Sequence, residues 1–131
     1  MSIKKSDRKK YRERVVSLIK EFKRVLFLQH WTIEVVYSDK DRDNYIADCQ
    51  VLSAYYASCV TFYPMHYELY KKKDVYQFEK AIIHELCHCI THPLYEEAKK
   101  QGSKVTSDYI DSMREQATEH IATIAYSSWK K

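Results

Sequence analysis

The chain has 131 residues, a formal net charge of +4, 45% hydrophobic residues, and only one Gly and two Pro. That length supports one domain, residues 1–131, around a single core and leaves no room for a second, and so little Gly and Pro argues against long loops or linkers. No apolar run approaches the roughly 18 residues needed to span a bilayer, and no apolar segment follows the charged N-terminus, so the expectation is a soluble, cytoplasmic protein with no membrane partner.

Residues 4–29 have the period of an amphipathic helix, with Val15, Leu18, Ile19, Phe22, Leu26 and Phe27 along the apolar stripe. The opposite face is basic: Lys4, Lys5, Arg8, Lys9, Lys10, Arg12, Arg14, Lys20, Lys23 and Arg24 face only Asp7, Glu13 and Glu21. Such a face is commonly a solvated surface, and it also suits phosphates, which keeps nucleic acid among the candidate partners. The segment lacks the tight turn and second helix of a helix-turn-helix unit.

After Trp31 the pattern becomes β-rich. Residues 31–37 read as a strand and the polar run 38–44 as a turn; residues 45–52 and 57–63 read as two more strands, the last closed by Pro64. Short connections between three strands predict a small, largely antiparallel sheet, and with the helices around it an α+β fold. Residues 66–73, with the lysine run Lys71, Lys72 and Lys73, form a loop or short helix.

Residues 74–92 read as a second long helix, because no Gly or Pro interrupts them and Leu86, Cys89 and Ile90 continue the apolar spacing. Within it lies His84-Glu85-Leu86-Cys87-His88. Positions i and i+4 of a helix share a face about 6 Å apart, so His84 and His88 can chelate one ion from a single rigid element. Neutral imidazole suits Zn2+, and a catalytic zinc takes three protein donors and leaves a fourth position open. Glu85, beside the first histidine, is placed to accept a proton from an attacking water. The competing explanation for the pentapeptide is a pair of structural histidines.

Two histidines leave zinc short of a ligand. Pro93 is expected to end the helix at His92; on a continuous helix His92 lies about 12 Å from His84, too far to share an ion, so it is a second choice of ligand that requires a sharp turn after His88, where no glycine eases one. A last helix is expected from Thr106 or Ser107 to Tyr126, with Ile110, Met113, Ala117, Ile121 and Ile124 as its apolar stripe. Glu115 and Glu119 stand one turn apart beside that stripe, able to approach the metal helix together. Tyr95, Tyr109 and His92 are the candidates to stabilise an oxyanion. Cys49, Cys59, Cys87 and Cys89 form neither a CxxC pair nor a disulfide framework and read as small buried hydrophobes of a reducing compartment.

The HELCH helix following a small sheet, with Glu115-x-x-x-Glu119 on a closing helix, resembles a minimal zincin metallopeptidase of the gluzincin type. The order of elements from Trp31 to Tyr126 is similar to small phage- and prophage-encoded metallopeptidases and, more distantly, to the ImmA/IrrE and SprT-like groups. The resemblance implies a zincin-like fold, zinc held by His84, His88 and Glu115, Glu85 as general base, Glu119 as an acid that orients a ligand histidine, and a peptide or protein substrate. It departs from the family pattern in having Glu rather than Asp at position 119. It also implies that the strand at residues 57–63 is the sheet edge, where Ser58, Cys59 and Val60 would pair with an extended peptide. Two other classes of function fit the residues: a zinc-stabilised, non-catalytic binding module and a nucleic-acid-associated protein using the basic helix.

Overall fold

A computed structural model describes residues 2–101 and 104–131. The fold is α+β: helix α1 (Ser2–Val25), strand β1 (Thr32–Tyr37), strand β2 (Ala47–Leu52), a 3-10 turn (Ser53–Tyr55), strand β3 (Ala57–Phe62), and helices α2 (Pro64–Lys71), α3 (Val75–Lys100) and α4 (Lys104–Lys130). Among the described residues no helix is long and apolar enough to cross a membrane.

The sheet is mixed rather than largely antiparallel. Its order is β1-β3-β2, with β1 parallel to β3 and β2 antiparallel to it. β3 therefore lies in the middle, and the expectation that it forms an edge is wrong: the edges are β1 and β2. Adjacent strands in sequence signal a hairpin, but β1 and β2 are joined by the long polar turn and never pair, because β3 inserts between them. Alternation along β3 buries Ser58, Val60 and Phe62 on the side facing the helices.

α1 stops at Val25, short of the expected Gln29. Leu28 N–H donates to Lys23 C=O at 2.7 Å and Phe27 N–H to Arg24 C=O at 3.3 Å, the bonding of a Schellman cap. Phe27 takes the left-handed position at φ 58° that glycine usually fills. Its ring is thrown into solvent, 80% exposed, while Leu28 enters the core in its place. The apolar stripe of α1 is thus Tyr11, Val15, Leu18, Ile19 and Phe22, packed with Trp31, Phe62, Phe78, Ile82 and Leu86.

α3 also departs from expectation, continuing through Pro93 to Lys100. An internal proline removes one N–H and crowds the carbonyl four residues back, costing about 3 kcal/mol. Packing on α4 offsets this on both sides of Pro93: Thr91 Oγ1 lies 2.7 Å from Thr118 Oγ1, and Lys99 Nζ lies 3.1 Å from Asp111. On α4 the buried face is Thr118, Ala122, Ala125 and Tyr126, rotated from the expected stripe, and Ile124 is 58% exposed. Small residues let the two helices approach closely, and a search for large apolar side chains misses that face. Burial on α4 is uneven, since fully buried residues begin at Thr118 and the described residues before it are exposed or half-buried.

Two buried polar groups organise the interior. His66 is stacked between Phe62 and Phe78, with Tyr11 Oη 2.8 Å from Nδ1 and Phe78 C=O 3.0 Å from Nε2. Because a carbonyl only accepts, Nε2 carries the proton and Nδ1 accepts from Tyr11. Glu79, 2% exposed, accepts from Tyr126 Oη at 2.9 Å, Lys130 Nζ at 2.9 Å and Arg14 at 3.1 Å. It ties α1, α3 and α4 together.

Candidate metal centre

α3 starts at Asp74, whose carboxylate accepts from Gln77 N–H. From there the helix carries Lys80, His84 and His88 along one strip, while Ile82, Ile83 and Leu86 fill the core. α4 crosses this strip and brings Glu115 and Glu119 against it.

His84 Nε2 lies 3.5 Å from Glu115 Oε2, and His88 Nε2 lies 3.4 Å from Glu115 Oε1. One donor atom from each of His84, His88 and Glu115 falls within 4.8 Å of the others. Zinc bonds of about 2.0–2.1 Å in a tetrahedron require donor separations of roughly 3.3–3.4 Å; each histidine already approaches a Glu115 oxygen that closely, and the three donors as a set would draw together from within 4.8 Å to hold the ion. His84 Nδ1 donates to Glu119 Oε2 at 2.7 Å, so Nε2, which faces Glu115, is the nitrogen left to bind an ion once its proton is lost. Glu119 is steadied in turn by Lys80, whose ammonium also donates to Thr123 Oγ1 at 2.9 Å.

The electrostatics follow from burial and these pairings. His88 is desolvated, and burial pulls its pKa down to about 4, which keeps the imidazole neutral and able to donate a lone pair at neutral pH. Burial also draws on His84, but its hydrogen bond to Glu115 and the carboxylates of Glu85 and Glu119 outweigh that and hold it above the ordinary value. The His84 hydrogen bond keeps Glu115 below the usual carboxylate range. Glu85 is nearly buried, its Oε1 4.0 Å from His88 Nε2, and desolvation pushes its carboxyl up to about 7 despite the opposing pull of His84. A carboxyl poised near neutrality is suited to taking and returning a proton.

These donors open into a cleft of about 890 Å³ between α3, α4 and β2, lined on the strand side by Ala47, Asp48, Cys49, Gln50 and Val51. Near its mouth, Arg42 bonds Asp48 at 2.7 Å and lies over Tyr45, while Tyr63 Oη donates to the same Asp48 oxygen at 2.7 Å.

The structure brings together His84, Glu85, His88, Glu115 and Glu119. His92 lines the same cleft but is turned to Glu96, 3.0 Å away, and does not join the donor group. Tyr95 and Tyr109 are not among the cleft-lining residues, and Tyr109 is largely exposed. Sequence reasoning missed Lys80, Arg114 and Asp48, and found the strand β2 without its place as a wall of the cleft. Lys80 was within reach, because it stands four residues before His84 on the same face; Arg114 and β2 depend on how α4 and the sheet pack. On α1 the basic face is partly engaged: Arg8 lies over Tyr67, Arg12 over Tyr37, and Arg14 pairs with Glu79. Cys87 and Cys89 are buried and all four cysteines are free. No protein-family model, curated protein or solved structure matches this chain.

Proposed function

We propose that the protein is a zinc-dependent metallopeptidase of zincin-like architecture, with His84, His88 and Glu115 holding zinc and Glu85 acting as general base. The convergence of these three donors beside a buried carboxyl, in a cleft bordered by an open strand edge, is the observation that supports this reading. Zinc held there supplies Lewis acidity, which polarises a carbonyl and makes a water easier to deprotonate at neutral pH. Glu85 accepts the proton of that attacking water and can pass it to the departing amine. Glu119, held by Lys80, fixes the tautomer and ring orientation of His84.

β2 is the strand on which an extended substrate would lie, in place of the Ser58, Cys59 and Val60 first expected. Tyr63 N–H donates to Ile46 C=O, so these opposed residues form a hydrogen-bonded pair. Alternation along the antiparallel ladder then turns Asp48, Gln50 and Leu52 toward β3 and leaves the N–H and C=O groups of Ala47, Cys49 and Val51 facing outward. Those groups can pair with a peptide backbone without regard to its side chains. The free thiols fit a reducing cytoplasmic setting.

The test is zinc content and peptide hydrolysis measured together. About one zinc per chain with peptide-bond cleavage that a chelator abolishes is the expected result. Zinc retained without cleavage of any peptide would replace this reading with the non-catalytic binding module.

A further inference from the structure

Arg114 immediately precedes Glu115 on α4, and its side chain lines the same cleft as His88 and His92. It is 23% exposed, yet its Nε is buried without a hydrogen-bond partner. Its ion partner is Asp111, with Oδ1 3.5 Å from Nη2, a separation too long for a strong bond, and the other Asp111 oxygen already takes Lys99 Nζ at 3.1 Å. Two cations share this one carboxylate, so Arg114 has no close carboxylate partner of its own. Arg42, the other guanidinium of the cleft, differs: it is bonded to Asp48 and Tyr63 and stacked on Tyr45. Arg114 makes no bond as short as these, and a planar guanidinium so loosely held beside a cleft matches a carboxylate.

We propose that Arg114 is a specificity residue that receives a substrate carboxylate on the His92 side of the metal donors. The carboxylate is either an Asp or Glu side chain of the peptide or a free C-terminus. This inference rests on the metallopeptidase reading, and binding can be measured apart from turnover. Zinc-loaded Glu85→Gln protein is titrated calorimetrically with three pools of short peptides, randomised at the other positions: one with an internal Glu and an amidated end, one with Gln and a free C-terminal acid, and one with Gln and an amidated end.

A charge-assisted bond predicts that a carboxylate-bearing pool binds about tenfold or more tighter than the neutral pool. Which of the two does so identifies the source of the carboxylate. Adding Arg114→Gln removes the preference, and Arg114→Lys, which keeps the charge but not the fork, restores part of it; unchanged zinc stoichiometry shows that the variants are folded. Equal binding of all pools, no binding of any, or a preference that survives Arg114→Gln overturns the proposal. Hydrolysis of the same pools by the wild-type protein reports separately on the metallopeptidase reading.

Discussion

Burial moves Glu85 and His66 in the direction that keeps each uncharged: the carboxyl is pushed up to about 7 and the imidazole down to about 4. Glu85 opens onto the cleft, and the expected consequence of Glu85→Gln is retained zinc with kcat reduced by about 10²–10⁴-fold, measured by elemental analysis beside a peptide assay. The donors themselves should rank by their place in the geometry. Glu115→Ala removes the proposed third ligand and should weaken zinc most, Glu119→Ala releases the His84 ring and Lys80 and should cost about 10–100-fold, and His92→Ala should cost least. Competitive zinc titration of the three variants checks the order, and a His92 variant that alone lost its metal would point to a three-histidine site. His66, by contrast, is sealed in the core. Its folded pKa lies below the ordinary 6.5, so the unfolded chain binds the extra proton first. Its contribution is complete above about pH 6.5 and is lost as pH falls toward 4, about 3 kcal/mol in all. Urea unfolding should therefore weaken more steeply over that window in wild type than in His66→Phe.

At the scale of elements, existence was easier to read than extent or order. HELCH points to its helix because two histidines at i and i+4 share a face only on a helix, and the apolar spacing around them agrees. Pro93 and Phe27 misled for opposite reasons. Proline's local penalty is outweighed by packing that lies far away in sequence, and a left-handed cap filled by Phe27 looks like one more turn of apolar helix. Strand order was not legible, since nothing in residues 31–63 records that β3 comes between β1 and β2. The observed register makes a sharp prediction. Proline at Val51 deletes an N–H that faces outward, so Val51→Pro should cost the fold only about 1 kcal/mol while raising KM for extended peptides. Proline at Gln50 removes a ladder bond to β3, and Gln50→Pro should cost about 3 kcal/mol or more. Thermal melts and steady-state kinetics of the pair distinguish them; equal destabilisation by both would mean that the register is wrong.

The molecule as a whole is gathered on α3, whose two flanks serve different ends. One flank faces the cleft; the other presents Glu79 to Arg14 of α1 and to Tyr126 and Lys130 of α4. Sequence showed the basic excess of α1 but not that part of it is spent on this buried carboxylate, because the partners are more than 45 residues away. Glu79→Ala should destabilise the protein by about 1–3 kcal/mol, less than for a fully enclosed ion pair because Arg14 and Lys130 can return to water. Guanidinium unfolding reads that loss, and zinc binding by the folded fraction should be unaffected.

Glu115 stands just before the point where α4 becomes buried. No described residue of α4 before Thr118 is fully buried, so this stretch is expected to open more readily than residues 118–130. With Glu115 as the proposed third ligand, metal capture would report local opening: zinc should slow amide hydrogen exchange across residues 106–117 far more than across 118–130.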